Sequence, residues 1–391
     1  MSDKSFETLA VHAGENLSEH YGALSAPLYS ASVFAFADAD EGAAIHNYEK
    51  DGYFYGRLGN PTQTALERAV AELESAEAAY ALASGMAAVS AAILSNIKTG
   101  DHIVAPSSMY STTTMFLREI AERFGIETTF VDAETAENYA AAIKSNTKLF
   151  WLETPSNPLL KITDIEAVAK IAKAANIITI IDSTFATPFN QKPLTYGIDI
   201  VIHSATKYFG GHSDLSAGLI IGSEEHVERA RHSIGKLYGG NISPQVAWLV
   251  LRGIKTLALR MKCHNDNASA LAYMLKSHAK VSGVFYPGLE EYPNHEIAKR
   301  QMKGFGGMIA FDVGSVAAGK CFVNAVKLCT LATSLGGVET IVQHSASMTH
   351  ATLSHEERLR AGVSDGLIRL SVGIENPEDL IADLKQALDK L

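Results

Sequence analysis

The chain has 391 residues, 47% hydrophobic and 19% charged, an ordinary globular balance with length enough for two or three domains and sizeable cores. Its net charge of −10, with no basic cluster, argues against a nucleic-acid partner. The first seven residues hold no apolar leader, no apolar run could span a bilayer, and the scattered Cys263, Cys321 and Cys329 suit a reducing compartment, so a cytoplasmic protein with no membrane partner is expected.

The first 57 residues have weak periodicity and many aromatic side chains, among them Tyr21, Tyr29, Phe34, Phe36 and Tyr48. Such a segment packs on its own chain or reaches onto a partner. Residues 62–76 repeat apolar side chains at helical spacing (Leu66, Ala69, Val70, Leu73), and 84–97 read as a buried helix rich in small residues. Short apolar runs follow at 102–105, 149–152, 177–181, 200–202 and 218–221, each bounded by polar or turn residues. Helical stretches lie between several of them, notably 111–124 and 165–175. Short runs that are apolar on both faces and separated by helices predict an α/β core around a largely parallel sheet covered on both sides. After Trp248 a long helical region over 246–275 leads into a mixed segment with glycine pairs at 306–307 and 336–337, and an amphipathic helix over 377–391 closes the chain. The expected division is an arm over 1–57, a large α/β domain over 58–250 and a smaller α+β domain over 251–391.

Lys207 ends the run Ser204-Ala205-Thr206-Lys207, directly after a buried strand. Poor hydration there lowers an amine's pKa and favours its neutral, nucleophilic form. The plain alternative is a strand-end lysine pointing at solvent. Asp182 ends the strongest apolar run, and ligands of open parallel sheets sit beyond the carboxyl ends of strands. A carboxylate at that edge could keep a pyridinium nitrogen protonated and let the ring store electrons, or it could simply cap a helix. Ser84-Gly85-Met86 opens a helix whose free N–H groups suit a phosphate, with an ordinary cap as the alternative. Tyr55-Gly56-Arg57 supplies a phenol and a forked guanidinium. Tyr110 places an aromatic ring at the sheet's ligand edge, or in the core. Arg369 interrupts an apolar strand-like run and needs an anion, either a substrate carboxylate or an internal acid. Walker, dinucleotide-glycine, HExxH and GxSxG patterns are absent. His344, His350 and His355 lack helical i,i+4 spacing, so no metal site is expected.

Together these segments resemble the Cys/Met-metabolism family of fold-type I pyridoxal-phosphate enzymes. The resemblance rests on His12-Ala13-Gly14, Tyr55-x-Arg57-x-Gly59-Asn60-Pro61-Thr62, Ser84-Gly85-Met86, Glu153-x-Pro155-Ser156-Asn157-Pro158, Asp182-x-Thr184, Ser204 to Tyr208, Ser334-Leu335-Gly336-Gly337 and Arg369 to Gly373. It implies the PLP-dependent transferase fold, with a large, mostly parallel seven-stranded sheet, a smaller α+β C-terminal domain and an N-terminal arm. It also implies roles. Lys207 would form a Schiff base with pyridoxal 5'-phosphate and move protons, Asp182 would pair with the ring nitrogen, and Tyr110 would stack on the ring and help the leaving group depart. Gly85, Met86, Ser204 and Thr206 would hold the phosphate, Thr184 would join the cofactor pocket, and Tyr55 and Arg57 would arrive from a neighbouring subunit. Arg369, Ser334 and Asn157 would receive the substrate carboxylate. Ser183 stands where asparagine is usual.

Cystathionine enzymes of the family usually place glutamates just before the positions of Tyr55 and Ser334. Here Phe54 and Thr333 stand there, so cystathionine loses its distal partners. Phe54 resembles methionine γ-lyase, as does the stretch from Met348-Thr349-His350 through Gly373. Thr112 and Lys236-Leu237 depart from that pattern, which carries a cysteine and a Lys-Asp pair. The resemblance therefore implies γ-elimination on methionine or a homoserine derivative, giving 2-oxobutanoate and ammonia. γ-Replacement by a homoserine-ester sulfhydrylase or a cystathionine γ-synthase-like enzyme stays open beside it. An active dimer within a homotetramer is expected.

Overall fold

The computed structural model describes residues 4–14, 16–348, 351, 354–360 and 362–391. Thr349 and His350 lie outside them. A seven-stranded sheet is built from β1 (Ala78–Leu82), β2 (His102–Pro106), β3 (Glu127–Val131), β4 (Thr147–Glu153), β5 (Ile178–Asp182), β6 (Ile200–His203) and β7 (Gly218–Gly222). Its order is β1-β7-β6-β5-β4-β2-β3, and only β7 runs against its neighbours. Alternation along β4 accounts for the two-sided burial. Phe150 and Leu152 enter one apolar cluster, whereas Leu149 and Trp151 enter another on the opposite face. Each fully buried side chain of this size contributes about 1.5–3 kcal/mol of transfer free energy.

A second sheet follows, from β8 (Gly283–Phe285), β9 (Met308–Asp312), β10 (Thr330–Leu331), β11 (Ile341–His344) and β12 (Leu367–Ser371), in the order β10-β11-β12-β9-β8. A separate apolar cluster packs it against the helices Leu257–Lys276 and Pro377–Leu388.

The helical region expected over 246–275 is two helices, Pro244–Ile254 and Leu257–Lys276. Arg260 explains the break. Its guanidinium donates to the Gly253 carbonyl at 2.8 Å and to the Tyr208 carbonyl at 2.6 Å, and the Thr256 amide also turns back to Gly253. Strands β1 and β3, for which no expectation was drawn, complete the sheet. The arm is partly tied to its own chain. Asn60 caps the helix Pro61–Glu74 and donates to the Tyr29 carbonyl, while the Thr62 hydroxyl takes the Tyr29 amide and donates to the Pro27 carbonyl. The Asn60-Pro61-Thr62 motif thus performs architecture. Among the described residues no helix is long and apolar enough to cross a membrane.

Candidate active site

The carboxyl ends of β2, β4, β5 and β6 lie side by side, and the loops leaving them converge on a cavity of about 420 Å³. β6 runs directly into Ser204-Ala205-Thr206-Lys207. The Lys207 Nζ lies 2.5 Å from the Ser334 hydroxyl, contributed by the second sheet's side of the molecule. Burial pulls the Lys207 amine down to about 8, and the positive charge of Arg369 pushes the same way.

Asp182 closes β5. Burial raises its carboxyl above the ordinary carboxylate range, while hydrogen bonds from Thr184 oppose the rise; the Thr184 amide donates to Oδ1 at 3.0 Å. No lysine or arginine among the described residues pairs with it. The Thr184 hydroxyl also accepts the Ser204 amide at 2.8 Å, which ties the β5 and β6 loops together. Ser183 is fully buried, its amide given to the Ile202 carbonyl.

The helix Gly85–Leu94 starts at the same edge. The Ser84 side chain caps it by accepting the Ala87 amide at 3.1 Å, as the cap reading expects. Its first N–H groups have no acceptor within the helix. Gly85 permits the close approach: a Cβ there would lie 2.9 Å from both the Cβ and the hydroxyl of Ser204. The Thr206 hydroxyl faces the cavity but also bridges the Ala217 amide and carbonyl at 3.0 and 3.2 Å. Tyr110 precedes the helix Ser111–Met115 and lines the cavity, half exposed.

Arg369 sits in β12, between Gln343 of β11 and Ala310 of β9. It is 6% exposed, yet among the described residues its partners are all neutral: Asn157 Oδ1 at 3.0 Å, the Ser334 carbonyl at 2.8 Å and Gln343 Oε1 at 3.1 Å. Burial pulls even this guanidinium down to about 10. A buried cation that meets no carboxylate is costly unless an anion arrives. Ser334 presents its carbonyl and hydroxyl from a left-handed backbone, φ +81.

Lys207, Tyr110, Asp182, Thr184, Gly85, Met86, Ser204, Thr206, Asn157, Ser334, Thr333 and Arg369 thus all line one cavity. Phe54, Tyr55, Arg57 and Thr112 do not. Phe54 stacks on Phe36 in a separate cleft, and the Arg57 guanidinium donates to the Lys236 carbonyl at 2.5 Å. Thr112 lies one residue beyond Ser111, which does line the cavity. Several lining residues carry no role from sequence reasoning, among them the polar side chains Glu153 and Gln343. Glu153 ends β4 opposite Asp182; burial first, and then the Asp182 charge, push its carboxyl well above the usual range. Glu153 heads one of the motifs of the family resemblance, but its place beside Asp182, like that of Gln343 beside Arg369, is given by strand register. His344 is occupied by Ser347 and the Asp365 carbonyl, and His355 by Asp365.

The donor set fits a phosphorylated pyridine aldehyde. It offers a desolvated amine, a buried carboxylate without a cation, a helix N-terminus beside two hydroxyls, an aromatic ring and a separate unmatched guanidinium. Comparison with known proteins agrees. The chain is 48% identical over 394 residues to an L-methionine gamma-lyase of Fusobacterium nucleatum, covering 100% of both chains. It is 46% identical to a cystathionine gamma-lyase of Bacillus subtilis, covering 98% of this chain and 99% of that one. A crystal structure described as metB from Corynebacterium glutamicum superposes with a TM-score of 0.93 at 43% identity, covering 99% of this chain and 98% of the other. A profile of Cys/Met metabolism PLP-dependent enzymes matches residues 7–389, and the chain belongs to that family.

Proposed function

We propose that this chain is a pyridoxal 5'-phosphate-dependent γ-lyase acting on an L-amino acid such as methionine. With one water consumed, the products are 2-oxobutanoate, ammonia and, from methionine, methanethiol. One observation carries the reading: a desolvated lysine amine and a buried guanidinium with only neutral partners open on the same cavity. That pairing suits a substrate with an amino group and a carboxylate on one carbon.

Arg369, with Asn157 and Ser334 around it, binds the substrate carboxylate. Asp182 holds a proton on the cofactor's ring nitrogen. Pyridoxal 5'-phosphate, once bound, would supply an electron sink for the pair released at Cα. The Lys207 amine takes the Cα proton and then assists removal of a proton at Cβ. The Tyr110 hydroxyl gives a proton to the departing γ-group. The lining supports a neutral γ-substituent. Among the described residues its only acids are Glu153 and Asp182, both buried at strand ends, while Met109, Phe185 and Leu335 add apolar surface.

The L-methionine gamma-lyase relatives favour elimination on methionine; cystathionine lyases also match the chain, so the thioether is the shared feature. A panel of methionine, homocysteine, cystathionine and O-acyl-homoserines decides. Release of 2-oxobutanoate from methionine without added thiol supports the lyase. A thioether product formed only when sulfide or thiol is supplied sinks it in favour of γ-replacement.

We also propose an active dimer, in which the arm over residues 1–57 reaches the phosphate site of a neighbouring copy, with a tetramer built from two dimers. Tyr55 and Arg57 lie outside their own chain's cavity, and Tyr21, Leu24, Val33, Leu237 and Tyr238 are exposed apolar side chains that a second copy would cover. Arg57→Ala should then lower the fraction of chains that retain cofactor through dialysis, by about tenfold in affinity. Unchanged retention would remove the arm from the site.

A further inference from the structure

Glu153 has no part in the chemistry above, yet it is a buried acid placed against another buried acid. It closes β4, between β2 and β5, in register with Asp182. Its Oε2 accepts the Tyr110 amide at 2.9 Å, from the loop after β2, and its Oε1 accepts the Asn157 amide at 2.8 Å, from its own loop. Asn157 in turn receives the Arg369 guanidinium on its side-chain oxygen at 3.0 Å. One side chain therefore joins the aromatic ring on one side of the cavity to the guanidinium on the other.

We propose that Glu153 is a positioning residue for the reaction, its two carboxyl oxygens holding the Tyr110 and Asn157 backbones so that leaving-group assistance and carboxylate binding are aligned by a single group. The residue type follows from the geometry. Two N–H donors approaching from different loops need two acceptor oxygens, and a glutamine offers one oxygen and one NH₂. Burying an acid beside Asp182 is unfavourable, as the raised carboxyl of Glu153 shows. The inference rests on the cofactor placement proposed above, and it is independent of which group leaves from the γ-carbon.

The test uses the cofactor-loaded enzyme and two variants, Glu153→Gln and Glu153→Asp. Glycine, which has no γ-substituent to expel, is titrated while the visible absorbance of the bound cofactor is followed. Cofactor content and thermal midpoint are measured on the same samples. Misplacement of reacting groups by a fraction of an ångström predicts, per loaded site, about a 10–100-fold fall in kcat and about a tenfold weaker glycine affinity, with cofactor content kept. Turnover and glycine affinity at the wild-type level overturn the proposal. So does a loss confined to thermal midpoint or cofactor content, which marks a residue of the core alone, and so does failure of both variants to fold. A wild-type enzyme that shows no absorbance response to glycine fails before any substitution is made, which separates failure of the cofactor reading from failure of this one.

Discussion

Lys207→Ala is expected to lower turnover by at least about 10⁴-fold. Loss of a general base alone removes about 10²–10⁴, and loss of the covalent anchor adds to it. The geometry leaves no substitute. Among the described residues the other titratable groups lining the cavity are Tyr110, assigned to the leaving group, Arg369, assigned to the carboxylate, and the buried carboxyls Asp182 and Glu153, held at the ends of β5 and β4 by backbone amides. The same substitution should not destabilise the cofactor-free protein. Burial disfavours the charged amine in the folded state, so removing it relieves a cost and loses one hydrogen bond to Ser334. The thermal midpoint should hold or rise while activity vanishes. In the unmodified chain, covalent capture of the cofactor requires the neutral amine, whose fraction grows as pH rises through about 8. At pH 7 about a tenth of the lysines would be neutral, against roughly one in 2,500 for a lysine of pKa about 10.4. Stopped-flow capture rates across pH 6–10 check this. A rate still climbing steeply above pH 9 would mean that Lys207 is an ordinary, hydrated lysine.

The legible parts of the site were those set by local chain pattern. Buried parallel strands read as short apolar runs, and each run's last residue falls at the sheet's ligand edge, which is why Asp182 and Lys207 stood out. Gly85 was legible as a point of close approach, whereas Gly336-Gly337 read only as a glycine pair within a motif. Gly336 sits at φ +77, and a Cβ there would come within 2.8 Å of the Tyr208 amide, so its motif marks the packing of the Ser334 loop on the Lys207 strand end. Register between strands was not legible. Glu153 heads a motif of the family resemblance, but its contacts emerge only once β4 is aligned with β5 and the Tyr110 amide, 43 positions away, is brought to it. Gln343 is found only through its pairing with Arg369 across β11 and β12. The edge strand β3 alternates too weakly to announce itself, being half exposed and carrying Thr128 and Thr129. The break at Lys255 and Thr256 depends on Arg260 turning back on Gly253, a contact that helical periodicity cannot encode.

Chain pattern also leaves open where Phe54, Tyr55 and Arg57 act, because they lie outside their own chain's cavity and the proposed dimer would be needed to bring them to one. The Asn60 and Thr62 contacts fix the start of the helix Pro61–Glu74 against Pro27 and Tyr29, so the segment just before them leaves the body at a set point. In the proposed dimer, specificity for the γ-substituent and assembly of the subunits become one question, since Phe54 would reach a substrate only if the arm reached a neighbour.

Arg369→Leu should lower kcat/KM by about 10²–10⁴-fold, the consequence of losing about 3–5 kcal/mol when one partner of a buried charge pair is removed. The substrate carboxylate does not change during the reaction, so it is bound equally before and at the transition state. The loss should therefore fall mainly on KM, with kcat reduced far less. Arg369→Lys separates charge from geometry. The ammonium keeps the point charge but cannot reach Asn157, Gln343 and the Ser334 carbonyl with a planar fork, so an intermediate loss of about 10–100-fold is expected. Cofactor content should stay at the wild-type level in both variants, because none of Arg369's partners is among the phosphate-holding or ring-holding groups. Amines that lack the carboxylate provide the complementary control, since their weak turnover should be indifferent to the substitution. An Arg369→Leu enzyme with an unchanged KM for methionine would place the carboxylate elsewhere, and the neutral-lined guanidinium would then have to be explained by some other anion.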